Sequence, residues 1–205
     1  MIDLGNLNID NVKLGGDQVD KVMVGSEQVW PVGPVVLPYK AKITLRRSGG
    51  LTFSVTGNSA EYSVDNMASW VDMPSGQTIN VSDVIFIRQK SGGATITSLG
   101  LSNGARDIIT IDHYDGTGIT QMYGAFQGAD HMTRANVINI SGSANMKYMF
   151  NGCLVLTDIC GDIDTTQSSN RDYMFNNCHV LAHPTASEQA DLIDSSGAVY
   201  SYSCP

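Results

Sequence analysis

Met149-Phe150-Asn151-Gly152-Cys153 and Met174-Phe175-Asn176-Asn177-Cys178 are two copies of one pentapeptide. A worn third copy stands upstream, Ala125-Phe126-Gln127-Gly128-Ala129. The three phenylalanines are 24 and then 25 residues apart. A fixed period of that size is the mark of stacked supersecondary units, so equivalent apolar residues are expected to form ladders inside the protein.

Counting from each Phe extends the repeat into columns. One residue before stand Ala125, Met149 and Met174; three after stand Ala129, Cys153 and Cys178; six after stand Met132, Leu156 and Leu181. Four before stand Met122, Met146 and, breaking the column, Arg171. Twelve before stand Tyr114, Ile138 and Ile163, which would lie on adjacent strands. The residues two before, Gly124, Tyr148 and Tyr173, are less apolar and are expected at the surface. Phe126, Met149, Phe150, Cys153, Leu156, Met174, Phe175, Cys178 and Leu181 are therefore the predicted repeat core. Cys153 and Cys178 fall in it as packing residues, the usual role of a buried free thiol.

Met146–Leu156 matches the pattern M-x-x-M-F-x-x-C-x-x-L in full, Tyr173–Leu181 its second half, and Ile119–Phe126 an earlier, degraded copy. In this the chain resembles the BspA-like leucine-rich-repeat family over about 80 residues. The resemblance implies a short right-handed solenoid with a parallel β-face. It also implies binding rather than catalysis, because such repeats belong chiefly to surface adhesins of bacteria and protists. Downstream, Ser187–Ile193 predicts a short helix capping the solenoid, with Thr185 or Ser187 as its N-cap. Gly197–Tyr202 predicts a last strand.

Upstream, a ten-residue repeat aligns Val12–Val19 with Val22–Val29. Each copy is an alternating apolar strand, a Gly-led turn and the start of another strand, a hairpin pattern. Alternation puts Val12, Leu14, Val22, Val24 and Trp30 on one face. Two isolated hairpins bury little surface, so that face is expected to dock on something else. Closing on Val29-Trp30-Pro31, the module resembles one common near the termini of tailed-phage virion proteins, which implies attachment to a virion. Three prolines in residues 31–38 predict an extended connector. Short alternating runs at Ala41–Leu45, Leu51–Val55, Tyr62–Val64, Ile79–Val81, Val84–Arg88 and Ala94–Ile96 then predict a small antiparallel β-domain, with Phe53 and Trp70 in its core.

Composition narrows the function. The 205 residues carry a formal net charge of −8. Residues 1–38 contribute −3, residues 39–100 contribute +2 and residues 101–205 contribute −7. Phosphate-backbone binding relies on clustered cations, so no nucleic-acid partner is expected. No run approaches the roughly 18 apolar residues of a membrane helix, so no membrane insertion is expected. Met1-Ile2-Asp3 carries no basic and apolar export signal. Asp112, Asp115, Asp158, Asp162 and Asp164 flank predicted strands. A pair of them could serve glycan hydrolysis, and Asp162-x-Asp164 could contribute to a calcium site. A full calcium loop is missing, and Cys178-His179 with His183 lacks zinc-site spacing. Free thiols are expected, and a Cys160–Cys204 bridge is the alternative.

The expected architecture is mainly β. It comprises a hairpin attachment module (1–31), a Pro-rich linker (32–38), a small antiparallel β-domain (39–100) and a leucine-rich-repeat-like solenoid with a helical cap (101–205). The expected function is that of a non-enzymatic bacteriophage structural protein without cofactor or metal: a tail fibre, baseplate or tail-tip component. A head-decoration protein and a bacterial adhesin are the alternatives. Its partners would be other virion proteins through the hairpins, a host receptor or glycan through the solenoid, and further copies of itself. Its location would be the virion, assembled in the host cytoplasm.

Overall fold

The computed structural model describes residues 37–56 and 59–203, apart from the side chains of residues 102 and 103. It also gives the backbone of four short strands nearer the N-terminus. Two units are present, Met1–Leu37 and Pro38–Pro205.

In the first unit, β1 (Lys13–Leu14) pairs antiparallel with β2 (Asp17–Gln18), and β3 (Val22–Val24) with β4 (Glu27–Trp30). Of the proposed attachment residues, Val12 lies outside the described residues. For Leu14, Val22, Val24 and Trp30 only the strand backbone is described.

The second unit begins with β5 (Ala41–Leu45), β6 (Gly49–Val55), β7 (Ala60–Ser63), β8 (Val71–Asp72), β9 (Thr78–Val81) and β10 (Val84–Gln89). It continues through β11 (Leu99–Asn103), β12 (Ile108–Asp115), β13 (Arg134–Ile138), β14 (Asp158–Asp164), helix α1 (Ala186–Ile193) and β15 (Val199–Tyr202). Alternation decides which side chains face inward. In β5, Ala41, Ile43 and Leu45 are buried while Lys42 and Thr44 are half-buried on the other face. In β12 the buried residues Ile108, Ile111 and Tyr114 recur every third position instead. Two register shifts against β5 account for this, since each bulge admits an extra residue.

The strands do not form the expected separate β-domain and solenoid. They form one eight-stranded mixed sheet in the order β15-β14-β13-β12-β5-β10-β7-β8, with a three-stranded sheet β11-β6-β9. Pairing is parallel at β12–β13 and β13–β14 and antiparallel at every other junction of the large sheet. The mainly β content stands, but no closed solenoid forms among the described residues. Its parallel part is flanked by antiparallel partners, β5 on one side and β15 on the other. Residues from both sheets, including Phe53, Leu99, Ile43 and Tyr114, join a single core cluster with the repeat residues.

Three finer expectations also change. Ala94–Ile96 is not a strand; the chain pairs later, at Leu99–Asn103. Trp70 is only half-buried, with the Arg88 guanidinium 4.1 Å from its ring centre, whereas Phe53 is fully buried. The strand column slips by one: Tyr114 opposes Val137 rather than Ile138, after a register shift between Ile111 and Tyr114. Beyond it, Val137 opposes Gly161, where an added Cβ would stand 1.9 Å from the Val137 carbonyl oxygen. Only glycine fits that approach at φ 93°.

Inside this frame the equivalent Phe residues lie one strand spacing apart. The Phe126 and Phe150 rings stack with centroids 5.5 Å apart, and Phe150 and Phe175 at 6.1 Å. Tyr114 closes the stack edge-on against Phe126 at 5.1 Å. Backbone bonds tie the copies together, Phe126 N–H to the Met149 carbonyl and Phe150 N–H to the Met174 carbonyl, both at 2.9 Å. Arg171 is buried where the column otherwise holds Met. Its guanidinium donates to the carbonyls of Thr165, Ser168 and Asp194, the last being the residue that closes α1. At the start of α1, Thr185 and Glu188 form a reciprocal capping box.

Phe150 is fully buried in the middle of the stack. Phe150→Ala is expected to destabilise the second unit by about 3–5 kcal/mol, read from urea unfolding followed by far-UV circular dichroism. A loss below about 1 kcal/mol would mean that the rings do not form a packed stack.

Candidate functional site

The repeat turn points some residues inward and must therefore point others out. In each copy a first tight turn closes from the residue before Phe back to the residue four before it. A second closes from the residue three after Phe back to Phe. The second copy shows both: Met149 N–H to the Met146 carbonyl and Cys153 N–H to the Phe150 carbonyl, each at 3.1 Å. Two positions per copy take left-handed backbone. One, two residues after Phe, holds Gly128, Gly152 and Asn177, residues that adopt this conformation readily. The other, two residues before Phe, holds Gly124 at φ 56°, Tyr148 at φ 59° and Tyr173 at φ 57°. A left-handed tyrosine costs about 1–2 kcal/mol relative to right-handed backbone. Two equivalent turns carry that cost, although Gly124 shows that the turn accepts glycine.

The turns project their phenols outward as a second ladder. Tyr123, one residue earlier than its counterparts, is 58% exposed, Tyr173 is 57% exposed, and Tyr148 is half-buried between them. The Tyr123 and Tyr148 rings meet edge-to-face at 5.7 Å. Tyr148 and Tyr173 stack at 5.3 Å with an 11° interplanar angle. The Lys147 ammonium stands 5.1 Å from the Tyr148 ring centre and 5.8 Å from that of Tyr173, within cation–π range. It also pairs with Asp172 at 3.5 Å. Beside the rings, Asn176 donates an amide hydrogen to the Asn151 side-chain oxygen at 3.0 Å. A cleft of about 530 Å³ opens where Tyr173 meets α1, lined by Asp172, Tyr173, Asn176, Gln189 and Ile193 among others.

Each residue of the predicted repeat core has a place. Phe126, Met149, Phe150, Cys153, Leu156, Met174 and Phe175 are buried, and Cys178 and Leu181 are partly buried against the core. The Cys153 thiol donates to the Phe126 carbonyl at 3.4 Å, and the Cys178 thiol to the Phe150 carbonyl at 3.1 Å. The neighbouring Cys178 thiol and burial both push the Cys153 thiol far up, which keeps it protonated and unreactive. The alternative Cys160–Cys204 bridge involves Cys204, which lies outside the described residues.

Four of the strand-flanking acids, Asp112, Asp115, Asp162 and Asp164, accept structural hydrogen bonds. Burial alone would raise the Asp112 carboxyl, but hydrogen bonds from Thr110 at 2.6 Å and Thr44 at 2.8 Å, with Lys42 at 3.1 Å, hold it below the usual range. Burial would raise Asp115 too. Thr117 and Asn139 donate to it, Lys40 lies 3.5 Å away, and together they bring it down to about 2. Asp164 accepts from the Thr166 amide and hydroxyl, Asp162 from the Ser201 hydroxyl, and Asp158 opens β14. Asp112 and Asp115 are thus held as ionised carboxylates by the strand and turn residues around them. Among the described residues no group of three or more His, Cys, Asp or Glu side chains could hold a metal ion. None of their helices is long and apolar enough to cross a membrane.

Residues 100–201 match the family described as "Mycoplasma protein of unknown function, DUF285". The match runs from β11 to β15 and covers the whole tyrosine ladder. No curated protein and no solved structure matches the chain.

At an ordinary exposed position, glycine is less stable than alanine by about 0.5–1 kcal/mol. At residue 148 the order should invert, with Tyr148→Gly more stable than Tyr148→Ala by about 1 kcal/mol, measured by thermal and urea unfolding. Alanine as the more stable variant would show that the left-handed backbone is not held there.

Proposed function

We propose that the chain is a non-catalytic display protein of a tailed-phage virion. The hairpins of the first unit attach it, and the second unit presents the tyrosine ladder as a binding face. The ladder itself carries this reading. Large exposed aromatic side chains, held in strained backbone by a well-packed core, are a recognition feature rather than a packing one. The engagement of Asp112, Asp115, Asp162 and Asp164 in structural hydrogen bonds favours binding over hydrolysis. The virion assignment rests on the ten-residue repeat and its Val29-Trp30-Pro31 ending.

A second reading, an adhesin borne on a bacterial cell, draws support from the family matched by residues 100–201, which is described as mycoplasmal. Both readings use the same face and differ in what carries it.

Deletion of residues 1–31 separates them. In the virion reading, the truncated protein keeps the far-UV spectrum of the second unit but is absent from purified particles. Incorporation at the normal copy number would overturn attachment through the hairpins. Recovery of the full-length protein on cell envelopes, with none in particles, would establish the adhesin instead.

A further inference from the structure

We propose that the cleft where the tyrosine ladder meets α1 is a subsite for a neutral pyranose of a glycan chain, stacked on Tyr173. The proposal rests on the ladder being a binding face and names what that face takes.

Tyr173 is the terminal ring of the ladder among the described residues. Tyr148 covers one side of it, yet more than half of the residue remains exposed, and it lines the cleft of about 530 Å³. That volume is within the usual range for small-ligand sites. A pyranose has an apolar face of C–H groups and a rim of hydroxyls. It therefore needs one flat aromatic ring with hydrogen-bonding groups around the edge.

The rim is present. Asn176 and Gln189 direct their amide N–H groups to Asn151 and to the Pro184 carbonyl, at 3.0 and 2.9 Å, and so offer their side-chain oxygens as acceptors. The Asp172 carboxylate is 65% exposed and adds a stronger acceptor. Ile193 supplies an apolar wall.

Charge selects among ligands. Lys147 beside the rings and Asp172 in the cleft lining pair with each other, and α1 on the other side of the cleft carries Glu188 and Asp191. The face is thus neutral to acidic on a chain of net charge −8, which gives no attraction to a nucleic acid or an anionic polymer. A proline-rich peptide is the nearest rival, since it too uses aromatic side chains. It requires open grooves between them, whereas Tyr148 and Tyr173 close face to face at 5.3 Å. The end of the stack takes a single ring-shaped ligand better than an extended peptide.

The test is affinity electrophoresis of the purified full-length chain through native gels containing a neutral β-glucan, mannan or galactan. An anionic polysaccharide gel is run alongside, and a proline-rich peptide is titrated by fluorescence anisotropy. At least one neutral polysaccharide should retard the protein. Tyr173→Gly, which suits the left-handed backbone, should fold with an unchanged far-UV spectrum and weaken retardation tenfold or more. Asp172→Asn should weaken it by a smaller factor. Absence of retardation by all three neutral polysaccharides would overturn the proposal, as would retardation that Tyr173→Gly leaves intact. Peptide binding lost in Tyr173→Gly without glycan binding would reassign the cleft to a protein ligand and overturn it as well. If Tyr173→Gly abolishes attachment of particles or cells to their target while no neutral glycan is bound, the binding face stands and only its ligand class falls.

Discussion

The antiparallel seam between β5 and β12 is the constraint on which the second unit depends. Ile108, Thr110, Ile111, His113 and Tyr114 pair across it with Leu45, Thr44, Ile43, Lys42 and Ala41. On one side the sheet continues through antiparallel strands to β8, and on the other through the parallel strands β13 and β14. Without β5, the β12 edge would expose a row of unpaired backbone groups, and Tyr114 and Phe126 would lose the core residues behind them. Lys42–Asp112 at 3.1 Å and Lys40–Asp115 at 3.5 Å reinforce the seam on its outer face. These partly exposed pairs contribute register more than stability.

The function proposed for the chain draws on what the seam makes rigid. Each repeat turn places a Phe inside and a Tyr outside, and the inner stack sets the spacing of the outer one. The strained backbone at Tyr148 and Tyr173 persists because the bonds on either side hold it: Tyr148 N–H to the Asp172 carbonyl and Gly124 N–H to the Lys147 carbonyl. A face built this way is preorganised, so a ligand of the proposed kind would meet rings that need no ordering on binding.

The inner ladder was legible in the sequence because identical residue types recur at one period, and Phe126, Phe150 and Phe175 do stack. The start of α1 was partly legible for a similar reason, since a cap is a local interaction: Thr185 or Ser187 was expected as N-cap, and Thr185 fills that position. The neighbours of each strand were not legible. Alternation in Ala41–Leu45 shows that one face is buried but does not say that β12, more than sixty residues later, lies beside it. An antiparallel domain and a self-contained solenoid therefore looked separable when they share a sheet. The bulges that pair Tyr114 with Val137 leave no pattern in the residues themselves. Arg171 read as a broken column, although its guanidinium joins the last turn to the end of α1. The outer ladder was half legible. Tyr148 and Tyr173 stood in a surface column, but Tyr123 is offset by one residue from it, and glycine fills its place.

Native-state hydrogen exchange across the seam tests this account most directly. If β5 and β12 bind the two halves into one body, the amides of Ile43, Phe86, Ile111 and Val137 should exchange by global opening. They should share one free energy that falls with urea at one common slope. Exchange of Ile43 and Phe86 through a separate, lower-energy opening, with Ile111 and Val137 still protected, would contradict it and return the second unit to two independent domains.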